Sequence, residues 1–200
     1  MSTMSPKQQR GEETAARLLD TALRLYAESG EQGVTVSALT GASGVSLGSL
    51  YHHFGSVDGL MKALLGRWLG RLLEALVTAV ARSRSARSGV QDLVSGYLTF
   101  VQEHPDAARL LHSAYADRYG MADTRRIRDA QEARLSPLAE WLDGYVAAGE
   151  LAPLSTPLLE ALIMGPVVAV ARRWVSGLGD VDLDEAAAVL PDRIWNSIKP

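Results

Sequence analysis

Residues 35–54 read TVSALTGASGVSLGSLYHHF, and this stretch decides how the rest of the chain is understood. Thr35 suits a helix N-cap, because its hydroxyl can accept a hydrogen bond from a free N–H of the first turn. Val36, Leu39 and Thr40 then fall on one face at helical spacing. Gly44 can take the left-handed conformation that ends a helix at little cost. Ser46 is a second N-cap, and Leu47, Leu50, Tyr51 and Phe54 follow at steps of three and four. Cap, short helix, glycine turn, cap, short helix is the order of a helix-turn-helix. The second helix of that motif enters the major groove of double-stranded DNA.

Upstream, residues 1–11 are polar and read as a flexible arm. A first helix is predicted from Glu12 to Ser29, with Ala15, Leu18, Leu19, Ala22, Leu25 and Tyr26 in one stripe and Gly30 and Gly33 at its end. Downstream, Ser56 caps a long helix predicted over Val57–Arg82, striped by Leu60, Leu64, Trp68, Leu72, Ala75 and Ala79. Residues 82–89, RSRSARSG, read as an exposed loop. Further helices are expected over Val90–Glu103, Pro105–Tyr115, Thr124–Ala148, Thr156–Ser176 and Leu183–Ser197. A looser stretch is expected at Ala116–Asp123, and Pro137 should kink its helix. The fold class is therefore all-α, with about nine helices. It divides into an arm (1–11), a helix-turn-helix domain (12–56) and a helical body (57–200).

Composition narrows the function classes. The chain has 200 residues, a net charge of −3 and no cysteine, so disulfides and thiolate metal sites are excluded. The polar N-terminus has no hydrophobic segment of signal-peptide type. The longest apolar run, Leu158–Ala171, contains Glu160 and Pro166 and is too short to span a bilayer. A cytoplasmic protein without a membrane partner is expected. The first sixty residues hold four basic against six acidic side chains, a balance of −2. DNA binders usually carry a basic patch, so the count argues against strong non-specific DNA binding and not against specific binding, since hydroxyls, backbone N–H groups and helix N-termini can also hold phosphate.

Gly44-Val45-Ser46, then Leu50-Tyr51-His52-His53-Phe54, then Ser56 and Leu60, resemble the DNA-binding domain of the tetracycline-repressor (TetR) family. The resemblance runs from about Ala16 to Leu65. It departs from the family pattern at Leu39-Thr40, where an Ile-Ala pair is usual, and at Val57, where a phosphate-directed Lys is usual. The resemblance implies a homodimeric repressor that binds a palindromic operator and is released by a small-molecule effector lodged in the body. The alternative is a ligand-binding or scaffolding helical protein that no longer binds DNA.

The DNA-contacting set is expected to be Thr35, Ser46, Leu47, Gly48, Ser49, Tyr51 and His52. Tyr51 should bond a phosphate through its hydroxyl while its ring packs on the head. An effector pocket is expected from Tyr97, Phe100, His112, Tyr115, Trp141 and Met164, since large aromatics with a few polar tips make the usual lining of such sites. An outward apolar patch for dimerisation is expected from Leu162, Val168 and Val175 with Ala187, Leu190 and Ile194, and Arg172 and Arg173 should lie at its rim. The four histidines have no metal-ligand spacing and there is no phosphate-binding glycine loop, so neither a metal, a cofactor nor an enzymatic activity is expected.

Overall fold

The computed structural model describes residues 5–122 and 137–200, and these are helical with no strand among them. Helix α1 spans Pro6–Gly33. It starts six residues before the expected Glu12, because Ser5, Pro6 and Gln8 form a complete start signal. The Ser5 hydroxyl accepts from the Gln8 N–H at 3.3 Å, and the Gln8 side chain accepts from the Ser5 N–H at 3.0 Å. The arm expected over 1–11 is thus helical from Pro6. Gly30, at φ 67° and ψ −167°, interrupts α1 before a final turn.

Helices α2 (Val36–Ser43), α3 (Leu47–Phe54) and α4 (Val57–Val80) follow, each with the expected hydroxyl cap. Thr35, Ser46 and Ser56 accept from the N–H groups of Ala38, Ser49 and Gly59. Gly44 ends α2 in the left-handed conformation at φ 66°. The core stripe of α4 runs Leu60, Leu64, Trp68, Leu72, then Leu76 and Val80, not Ala75 and Ala79. That drift follows from 3.6 residues per turn over a long helix.

In the body, α5 spans Ala86–Glu103. Half of the expected loop is therefore helix: Ser85 and Ser88 cap each other reciprocally and Ala86 is fully buried. Helix α6 (Pro105–Leu111) stops short of the expected Tyr115, and α7 (Ala114–Ala122) occupies the stretch expected to be loose. Ser113 makes the break, donating to the Leu110 carbonyl at 2.6 Å and accepting from the Ala116 N–H at 3.2 Å. The chain is helical again at 137–147 (α8), then in α9 (Thr156–Val175) and α10 (Leu183–Ile198). The expected charged half of the helix before Pro137, and the kink there, lie outside the described residues.

The head packs α1, α2, α3 and the start of α4 around Leu18, Ala22, Leu39, Leu50 and Leu60, all fully buried. In the body α4 lies on α5, and α5 lies on α9 and α10, which pack on each other. Helix α6 touches α1, α4, α5 and α9. Two long helices, α1 and α4, therefore link head to body.

Candidate nucleic-acid interface and effector cavity

The turn between α2 and α3 is fixed by Ser43, a residue the sequence reading passed over. Its buried hydroxyl donates to the Leu39 carbonyl at 2.6 Å and accepts from the Val45 N–H at 3.2 Å. The turn leaves α3 with one face against Leu39 and the core and the other in solvent. Leu47 and Tyr51, one turn apart, are 49% and 47% exposed. Gly48 and His52 are exposed beside them. The expected packing of the Tyr51 ring on the head is therefore only partial. Ser49 is half-buried with its hydroxyl 3.0 Å from that of Ser46, so it is less free than expected. Helix α3 carries no Lys, Arg, Asp or Glu. Arg24, on α1, is paired with Glu28 at 3.2 Å.

The body holds a cavity of about 520 Å³. Leu69, Leu72, Leu73 and Leu76 of α4 form one wall; Leu93 and Tyr97 of α5, Trp141 of α8, and Glu160 and Met164 of α9 complete it. Tyr97, Trp141 and Met164 thus stand together as expected, and Phe100, His112 and Tyr115 do not line this space. Phe100 turns the other way, edge-on to Trp68 and His104 at 6.3 and 4.9 Å between ring centres. His112 stands behind Tyr97, with Nε2 3.1 Å from the tyrosine hydroxyl. Burial, then the charge of Arg172, lowers the His112 pKa to about 4 against a smaller opposing effect of Asp117. Burial raises that of Tyr97 to about 12. Both groups are neutral near pH 7, so this is a neutral hydrogen bond beneath the cavity wall.

Tyr115 belongs to the head–body junction. Its hydroxyl lies 3.2 Å from Asp58 Oδ1 and 3.4 Å from the Asp58 carbonyl at the start of α4. Arg118 reaches Glu31 at the end of α1 (2.6 Å), Arg172 of α9 holds Asp117 (2.6 Å), and Arg67 of α4 holds Asp20 of α1 (2.7 Å). A short relay of contacts therefore runs from Tyr97 through His112 and α7 to both helices that carry the head.

The Trp141 ring depends on Gly89. A Cβ at position 89 would lie 2.0 Å from the indole Cζ2, so only glycine admits the ring there. The indole N–H is buried with no hydrogen-bond partner. Among the described residues Glu160 has no paired cation either; burial, then the charge of Asp143, holds its carboxyl above the usual range. Neither Gly89 nor Glu160 was readable as a site residue, since their roles come from other helices: Gly89 of α5 meets Trp141 of α8, and Glu160 of α9 faces the leucines of α4 across the cavity.

Leu162, Val168, Val175, Ala187 and Leu190 are half-buried within the single chain. Ile194 is 2% exposed and belongs to the core, correcting its placement in the outward patch. Steps of three and four put it with Leu183, Pro191 and Ile198 on the inner side of α10. The outward line of α9 is instead Leu158, Ala161, Gly165 and Ala169, with Val189 on α10. Arg172 and Arg173 are exposed and paired with Asp117 and Asp180.

Among the described residues no cluster of His, Asp and Glu could hold a metal, and no helix is long and apolar enough to cross a membrane.

A capped helix exposed at the tip of a small head, on a helical body with an apolar cavity, defines a helix-turn-helix protein with a cavity-bearing body. Residues 18–64 match the family model described as bacterial regulatory proteins, tetR family. It is 34% identical over 100 residues to the HTH-type transcriptional repressor KstR2 of Rhodococcus jostii (strain RHA1), a match covering 50% of this chain and 47% of the relative. The chain spans about half the length of the first curated relatives it matches. Its fold is shared with a TetR family transcription regulator from Marinobacter aquaeolei VT8, with a TM-score of 0.77 at 21% identity over 96% of this chain and 98% of that one. It is shared too with FadR of Bacillus subtilis in complex with stearoyl-CoA, with a TM-score of 0.69 at 18% identity over 90% and 96%.

Proposed function

We propose that this protein is a homodimeric, DNA-binding transcriptional repressor released by a small, largely apolar effector. The observation that carries the reading is the exposed face of α3. Two large apolar side chains, Leu47 and Tyr51, stand in solvent beside Gly48 and His52 on a helix whose other side is core. On this reading Leu47 meets a thymine methyl, and Tyr51, Thr35 and Ser46 take phosphate contacts. The family of the head and a relative named as a repressor support it.

The outward line of α9 and α10 is the dimer face of this reading. Two-fold pairing sets recognition helices about 34–36 Å apart, or a multiple of that, on a palindromic site. The cavity is the effector site, and the relay from Tyr97 to α7 is the route to the head. A ligand that displaces the Tyr97–His112 bond changes the seat of α7 on Asp58 and Glu31. Coupling of about 1–3 kcal/mol corresponds to a change of about 5- to 150-fold in operator affinity.

The acidic balance of the head favours a second reading, a helical binding protein that no longer holds DNA. A mobility shift on the DNA flanking its own coding region separates the two. A specific, competitor-resistant complex, lost in Leu47→Asp with the fold intact, is expected for the repressor. Absence of any such complex at low salt leaves the second reading.

A further inference from the structure

The cavity has an unusual chemical balance. Its walls are leucine and aromatic, and the one charged side chain among its described lining residues is the carboxylate of Glu160. No Lys, Arg or His stands with it in that lining. Among the described residues the Glu160 carboxylate has neither a hydrogen-bond partner nor an ion pair, whereas Asp143 nearby accepts from the Thr156 hydroxyl. Asp143 adds a second negative charge beside it, and no Lys, Arg or His is among the described residues lining the cavity. Trp141, on the same cavity, carries a buried N–H without an acceptor. An apolar space with one lone anion and an aromatic ring attracts cations and repels carboxylates and phosphates.

We propose that the cavity takes an apolar molecule bearing a protonated amine, whose ammonium group pairs with Glu160 while its hydrocarbon or ring body fills the leucine-walled space. The inference rests on reading the cavity as the effector site and names the class of effector. An acyl chain with an anionic head, by contrast, would place like charge on Glu160. An oxygen on the ligand that accepts from the Trp141 N–H would add a second point of recognition.

The test uses the full chain and three probes of equal chain length, decylammonium, decanol and decanoate, titrated by calorimetry below micelle-forming concentrations. Decylammonium should bind more tightly than decanol by about tenfold or more, and decanoate should bind most weakly. Glu160→Gln should remove the preference for decylammonium and leave decanol unchanged. Glu160→Lys should turn the preference towards decanoate. Equal binding of decylammonium and decanol to the unaltered protein, or a preference that survives Glu160→Gln, overturns the proposal. A parallel operator mobility shift distinguishes the two failures. If decanoate binds best and releases DNA, only the ligand class is wrong. If DNA is held but no probe binds, the ligand class falls and the cavity loses its support as an effector site.

Discussion

Head and body of this protein differ in what they leave unmet beside their cores. In the head, nearly every hydroxyl that marks a helix start is used by the backbone three residues on: Ser5, Thr35, Ser46 and Ser56 all cap their own helices. Ser43 closes the turn in the same local fashion. Among the described residues the body leaves the buried Trp141 N–H without a partner next to a cavity, where the half-buried Glu160 carboxylate has no paired cation. A buried group without a partner is costly to keep. Its presence beside an apolar space therefore points to a ligand, while the fully satisfied head points to a rigid reading device. Rigidity suits a surface that must match DNA, and an unsatisfied interior suits one that must respond.

The largest effect that would break this contrast is in the two cores. Leu50→Ala, at a fully buried site of the head, should destabilise by about 2–5 kcal/mol and abolish operator binding. Gly89→Ala in the body should cost about 1–3 kcal/mol, because the new methyl collides with the Trp141 ring. It should shift the tryptophan emission and weaken cavity ligands while DNA binding persists. Denaturant melts with mobility shifts check both, and loss of DNA binding in both variants at permissive temperature would erase the distinction.

The next effect concerns acid. The His112 pKa is lowered from 6.5 to about 4 in the folded state, so the unfolded chain binds the proton more readily. The stability this neutral residue contributes is complete above pH 6.5 and is lost as pH falls towards 4. At full expression the loss is about 3 kcal/mol. His112→Gln should flatten that part of the stability–pH curve, measured by urea melts at several pH values. An unchanged curve would place the acid sensitivity elsewhere.

Smaller effects sharpen the picture of the head. Ser46→Ala should cost about 1 kcal/mol by removing the cap of α3, and should also free the Ser49 hydroxyl. Circular dichroism melts measure the first effect and operator selection the second. The smallest expected effect is at Val57. Val57→Lys should raise affinity for all DNA sequences alike and steepen the salt dependence by about one phosphate contact. An unaltered slope would mean that the start of α4 does not lie on the backbone.

Much of the head was legible in the chain because its determinants are short-range. Thr35, Gly44, Ser46 and Ser56 act on residues three or four positions away, so both short helices and their turn could be read with their boundaries. The same kind of signal at Ser5-Pro6-x-Gln8 and at Ser85-x-x-Ser88 was present but masked by polar and charged neighbours, and two helices began earlier than read. Aromatic residues of the body were legible as inward-facing, yet not which space they faced. Phe100 went to Trp68 and Tyr115 to Asp58, while Glu160 entered the cavity.

The sequence alone determined the all-helical class, the helix-turn-helix and the apolar stripes, because caps, turns and 3.6-residue periodicity are written within a few residues. Only the tertiary structure decided the cavity, the clearance Gly89 gives Trp141, the bond from Tyr97 to His112 and the burial of Ile194. Those depend on the angles at which long helices cross. A crossing angle is set by many side chains from distant parts of the chain acting together, and no short stretch of sequence records it.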